Sequence, residues 1–136
     1  MLLAITVTSV ATAALAQPVA TSEVIESPSE LYTVTDGNRV DAKTLAGWKT
    51  WRALACERCH GAAQEGLVGP ALVDSLKTLT KEEFHTTIMN GRPEKGMPPF
   101  SSSKMVTENW EGLYAYLKGR SDRQILPGRL SLLEKE

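Results

Sequence analysis

Cys56-Glu57-Arg58-Cys59-His60 is a C-x-x-C-H pentapeptide, and the rest of the chain is read outward from it. Its spacing is that of a covalent attachment site for c-type haem. Two thiols three positions apart can each add across one vinyl group of the porphyrin, and His60 then lies beneath the iron as its proximal ligand. The thioethers would account for both cysteines in the sequence. A thioredoxin-like redox pair would need a βαβ context, and a structural zinc site a second Cys/His pair at ligand spacing. Neither is present, since His85 is the only other histidine. A disulfide between Cys56 and Cys59 would close a tight loop and leave His60 unexplained.

The amino terminus agrees with that reading. Residues 1–16 carry no charged side chain and are mostly Leu, Ala, Val and Thr, with Ala14-Leu15-Ala16 before Gln17 fitting a signal-peptide cleavage site. The apolar run is shorter than the roughly 20 residues a membrane-spanning helix needs, so cleavage near Ala16/Gln17 and no stable membrane insertion are expected. An uncleaved anchor is the alternative. The absence of Lys or Arg near Met1 departs from the signal pattern and would fit a start inside a longer signal. Because c-type haem is joined outside the cytoplasm in bacteria, the expected compartment is the periplasm. The 120 residues from Gln17 to Glu136 suit one compact domain, expected to be monomeric. A net charge of −1 excludes a strongly basic protein and makes nucleic acid an unexpected partner.

Residues 17–40 mix Pro, Ser, Thr, Glu and Gly and read as an extended N-terminal arm, with a disordered leader as the alternative. From Asp41, a candidate N-cap, Leu45, Trp48, Trp51, Arg52 and Ala55 recur at helical spacing and deliver Cys56. Gly47 would let another helix cross closely. After His60 the glycines and Pro70 predict a loop, and a carbonyl near Pro70 could fix the His60 tautomer, with Leu67, Val68 and Leu72 lying on the porphyrin. A second helix is capped by Thr80 or Thr78, with Glu83 placed as in a capping box with Thr80, and ends at Asn90-Gly91; His85 on it should face solvent. The stretch from Gly91 to Phe100 holds three prolines, and such a stiff loop suits Met97 as a thioether ligand, in competition with Met89 and Met105. A last helix is expected from Thr107 to Lys118, stopped by Gly119, followed by a tail over 121–136 that straps the surface. The haem domain would then span 41–120.

From about Gly47 to Leu117 the order of helix, Cys56-x-x-Cys59-His60, Gly69-Pro70 loop, middle helix, Met97-Pro98 loop and terminal helix resembles the class I c-type cytochromes. The resemblance implies an all-α, small cytochrome c-like fold wrapped around one covalent haem c. It also implies His60 and Met97 as axial metal ligands, Pro70 as the acceptor for His60, and Arg92 as a propionate partner. The family commonly has an aromatic residue four positions before the first cysteine, where this sequence has Arg52 with Trp51 one step earlier, so the helix crossing is expected to shift. The segments from Gly91 to Phe100 and from Lys118 to Leu130 are similar to periplasmic cytochromes that accept electrons from PQQ-dependent alcohol dehydrogenases.

The function these features imply is outer-sphere transfer of one electron between a redox donor and acceptor, from a quinoprotein alcohol dehydrogenase towards a terminal oxidase, without enzymatic turnover. Two alternatives stay open. One is a haem enzyme or gas sensor with an open or labile sixth site, for which Arg92 and His85 are the obvious distal groups. The other is a fixed subunit of a dehydrogenase or oxidase complex.

Overall fold

The computed structural model describes residues 28–134; the signal peptide expected over 1–16 and the first part of the arm, 17–27, lie outside them. The elements follow in the order α1 (Pro28–Leu31), β1 (Val34–Thr35), β2 (Arg39–Val40), α2 (Ala42–Ala53), α3 (Glu57–His60), α4 (Leu72–Ser75), α5 (Lys81–Asn90), a 3-10 turn (Pro93–Lys95), α6 (Lys104–Ser121) and β3 (Ser131–Leu132).

Local chemistry accounts for most helix ends. Asp41 caps α2 by accepting from Thr44 N at 2.9 Å, and the same carboxylate accepts from Thr33 N at 2.7 Å, which joins the arm to the helix start. Thr80 and Glu83 form both halves of a capping box on α5, and Gly91 ends that helix with φ +64°. The last helix departs from expectation at both ends. It begins at Lys104, because Ser103 accepts from Val106 N and the fully buried Val106 anchors the first turn. It runs through Gly119 to Ser121: Gly119 serves close packing rather than termination, since a Cβ there would lie 2.5 Å from Ile125 Cδ1.

Helices α2 and α6 cross at glycine against glycine. A Cβ on Gly47 would lie 2.0 Å from the carbonyl carbon of Gly112, and one on Gly112 would lie 2.2 Å from the Lys43 carbonyl oxygen. This contact rotates the buried stripe of α2 away from the one the sequence suggests. Thr44, Gly47, Thr50 and Trp51 face inward, Leu45 and Trp48 are half-buried, and Arg52 is exposed. Small residues win the inner face because two backbones meet there, and the threonine hydroxyls bond locally, Thr44 to Asp41 at 2.7 Å and Thr50 to the Ala46 carbonyl at 3.0 Å. From Gly112 to Leu117 every residue of α6 is buried, so the helix is central rather than amphipathic. Leu76, Phe84, Ile88, Val106, Leu113 and Leu117 fill the core around it.

The expected all-helical fold gains a small sheet, ordered β1-β2-β3. β1 and β2 form an antiparallel hairpin, and β2 pairs in parallel with β3, Arg39 opposite Ser131 and Val40 opposite Leu132. The described part of the arm is therefore a helical turn and a hairpin, and the tail returns to it: Leu126 N donates to Gly37 O at 2.8 Å and Ser131 N to Asn38 O at 2.9 Å. No helix among the described residues is long and apolar enough to cross a membrane.

Candidate haem site

The chain leaves α2 through an irregular turn. Ala55 adopts φ +52°, Ala55 N donates to Arg52 O at 3.2 Å, and Cys56 N donates to Trp51 O at 3.3 Å. That five-residue closure takes up the extra position between Trp51 and Cys56. Trp51 remains 2% exposed, its ring 6.3 Å from the His60 ring and 6.2 Å from that of Tyr116. The shift anticipated from Arg52 is thus absorbed in the turn, and the helix crossing keeps its aromatic.

From Cys56 the backbone makes one helical turn, with Cys59 N and His60 N donating to Cys56 O at 3.2 and 3.0 Å. Positions i, i+3 and i+4 of such a turn share a face, which places Cys56, Cys59 and His60 together. Neither cysteine is in a disulfide. Cys56 packs against the core, and burial, helped by the neighbouring Glu57 carboxylate, pushes its thiol up to about 11. A thioether at that position would have no charge to desolvate. Cys59 is exposed.

The following loop folds back onto the turn. Gly66 N donates to His60 O at 2.8 Å and Gly69 N to Cys59 O at 2.7 Å. Gly69 lies against the imidazole so closely that a Cβ would sit 2.9 Å from His60 Nδ1 and Cε1. His60 Nδ1 is 3.0 Å from the Pro70 carbonyl oxygen. A carbonyl can only accept, so Nδ1 carries the proton and Nε2 presents a lone pair. Leu72, the first residue of α4, packs against the core, whereas Leu67 and Val68 stand 74% and 82% exposed.

Met97 is held by its backbone. Arg92 N donates to Met97 O at 2.8 Å and Met97 N to Arg92 O at 3.1 Å, closing a loop that contains the 3-10 turn and Gly96 in the left-handed region. Phe100 N then donates to Ile88 O at 3.1 Å and fastens the loop to α5. Met97 is half-buried, Met89 packs against the core and Met105 is 43% exposed; Arg92 is exposed. His85 does not face solvent freely: its ring lies 4.3 Å from that of Trp110.

Two unpaired thiols and an imidazole on one face, with the tautomer set for metal binding through Nε2, fit a covalently attached haem. The family model described as cytochrome c oxidase, cbb3-type, subunit III, matches residues 42–117. The chain belongs to the c-type cytochrome family. Cytochrome c-555 of Methylococcus capsulatus (Bath) is 44% identical over 92 residues, 67% of this chain and 73% of that one. Cytochrome c-553I of Paracoccus denitrificans is 30% identical over 105 residues, 72% of this chain but 46% of that one. The crystal structure of the c-type cytochrome XoxG from Methylobacterium extorquens AM1 superposes with a TM-score of 0.68 at 34% identity, covering 77% of this chain and 67% of that one. The cytochrome therefore has the helical cytochrome c-like fold and haem c as its covalently bound cofactor, and it acts as an electron carrier between redox partners rather than as an enzyme.

Sequence reasoning passed over one group of residues beside the site. Gln64, fully buried with φ +60°, donates through Nε2 to the Tyr116 hydroxyl at 3.1 Å, and Arg120 Nε donates to Gln64 Oε1 at 2.7 Å. The available signal was Arg120, a charge four positions after Tyr116 on a face otherwise apolar.

Proposed function

We propose that the cytochrome is a periplasmic one-electron carrier with a single haem attached through Cys56 and Cys59 and ligated by His60 and Met97. The observation that carries this is the His60 Nδ1 to Pro70 carbonyl contact of 3.0 Å, which frees Nε2 for iron. When bound, the haem supplies the ferric/ferrous couple. The chain's own residues do the rest. Pro70 and Gly69 fix the imidazole, the paired backbones of Arg92 and Met97 hold the loop from which Met97 would supply its thioether, and Leu72 would offer a bound porphyrin an apolar side chain. Arg92, which is exposed, would be the residue to pair with a haem propionate. Imidazole with thioether is the ligand pair that raises a haem potential. Leu67 and Val68 offer apolar surface next to the site, suited to a small transient encounter with a redox partner.

For the donor we propose a PQQ-dependent alcohol dehydrogenase, with electrons passing on towards a terminal oxidase. The resemblance of the Gly91 to Phe100 and Lys118 to Leu130 segments to the cytochromes that serve such enzymes supports this. Optical spectra of the ferric protein test the ligand set. The weak near-infrared band of sulfur-ligated iron is expected in the parent and its loss in Met97→Ala. Its absence in the parent, with carbon monoxide binding to the reduced form, would overturn Met97 ligation. Reduction by a purified dehydrogenase of that class, with its alcohol as electron source, tests the donor.

One observation favours a second reading, a fixed cytochrome subunit of an oxidase: the family model that matches 42–117 carries the description of an oxidase subunit. Gel filtration of native extract separates the two, a free carrier eluting as a single small protein of no more than the 14.8 kDa of the unprocessed chain.

A further inference from the structure

Arg120 is 8% exposed, and each of its three guanidinium nitrogens donates a hydrogen bond. Nε donates to Gln64 Oε1 at 2.7 Å, Nη1 to the Ile125 carbonyl at 2.5 Å and Nη2 to the Ala63 carbonyl at 3.1 Å. All three acceptors are uncharged. The acid that acts on it, Glu65, is an exposed residue whose carboxylate accepts from Ala63 N. The guanidinium is thus hydrogen-bonded to dipoles alone, and the one acid that acts on it makes no direct bond to it, inside a protein where charges are felt more strongly than in water.

A continuous buried path links this cation to the site. Gln64 is 0% exposed and bonds the Tyr116 hydroxyl, Tyr116 meets Trp51 edge-on, and Trp51 lies against His60. The same contacts fix its place. Ala63 and Gln64 lie three and four positions after His60 on the chain, and Ile125 packs against Gly119. A cation held in place in the same low-dielectric interior as a metal centre disfavours the more positive of the metal's two oxidation states.

We propose that Arg120 is a buried positive charge that raises the reduction potential of the iron held at His60, with Gln64 keeping it in position. The inference rests on haem attachment at the 56–60 turn, as proposed above. It assigns tuning of the potential to a charge on α6, remote in sequence from the ligands.

The test is a spectroelectrochemical titration of the full-length, haem-loaded protein at pH 7 for the parent, Arg120→Met, Arg120→Lys and Gln64→Glu. Arg120→Met removes the charge at similar bulk. Gln64→Glu keeps an acceptor on the guanidinium but cancels its charge, and Arg120→Lys keeps the charge while losing the fork. Arg120→Met and Gln64→Glu are each expected to shift electron exchange with a reference couple at least twofold towards the ferric form, about 18 mV on a scale of about 59 mV per tenfold for one electron. Arg120→Lys should stay within that margin of the parent. Smaller shifts in Met and Glu variants with parent-like spectra, or a fall in Arg120→Lys as large as in Arg120→Met, would overturn the proposal. If Arg120→Met does not fold, Arg120→Gln, which removes the charge and keeps a hydrogen-bonding head, decides by the same threshold. A parent spectrum without His-ligated haem would instead strike the attachment reading.

Discussion

Gly47 and Gly112 meet backbone to backbone where α2 crosses α6, with no room for a methyl group on either. Replacing glycine by alanine in a helix ordinarily stabilises by up to about 1 kcal/mol. Here overpacking against a rigid backbone opposes it, and such insertions typically cost about 1–3 kcal/mol, occasionally more. Gly47→Ala and Gly112→Ala should each lower the guanidinium midpoint of the haem-loaded protein by a net destabilisation of about 2 kcal/mol. A midpoint at or above the parent's would mean that the helices can separate freely.

Ala55 offers the opposite sign. Its φ of +52° is a conformation that L-residues adopt only at a cost, and the turn needs it to bring Cys56 round after Trp51. Ala55→Gly is expected to stabilise by about 0.5 kcal/mol, against a loss for the same change at Ala46 inside α2. Denaturation midpoints of the two variants, compared directly, check the contrast.

Asp41 joins the arm to α2. Burial alone would raise its carboxyl, but hydrogen bonds from Thr33 N, Thr44 N and the Thr44 hydroxyl, with the charge of Lys43, hold it below the usual aspartate value. A depressed carboxylate contributes stability above its unfolded value, near pH 4, and loses it as pH falls through the folded one. Asp41→Asn should therefore be less stable than the parent at pH 7 by about 0.5–1 kcal/mol, with the gap closing below pH 4. A gap independent of pH would show that the charge plays no part.

Tyr32 fastens α1 to the end of α6 through its hydroxyl, which donates to Asp122 at 2.8 Å. Burial first, then that bond and the carboxylate charge, hold its ionisation well above the ordinary tyrosine range. Such a group contributes stability below its unfolded value, near pH 10, and loses it as pH rises towards the folded one. Tyr32→Phe should cost about 1 kcal/mol at pH 7 and lose less than the parent above pH 10. Parallel pH curves for the two proteins would contradict this.

What the sequence disclosed was local. Asp41 with Thr44, and Thr80 with Glu83, satisfy backbone donors three residues away, so their caps are visible in a short window. The C-x-x-C-H turn and the Pro70 carbonyl lie within ten residues of His60 and were equally plain. Three consecutive serines blurred the start of α6, since each can cap and only the burial of Val106 selects Ser103. The stripe on α2 was misjudged because apolar spacing points to Leu45 and Trp48, whereas a close crossing selects small residues. Gln64 with Arg120, 56 positions apart, and β2 with β3 depend on partners that no local pattern announces.

The sheet also orders events during folding. β2 completes its pairing only when Ser131 and Leu132 dock beside it, about ninety residues along the chain from Arg39 and Val40, and closing so long a loop is slow compared with forming a local helical turn. The turn that carries both cysteines therefore forms on a chain whose last strand is still undocked. β3 is the latch that ends that open stage.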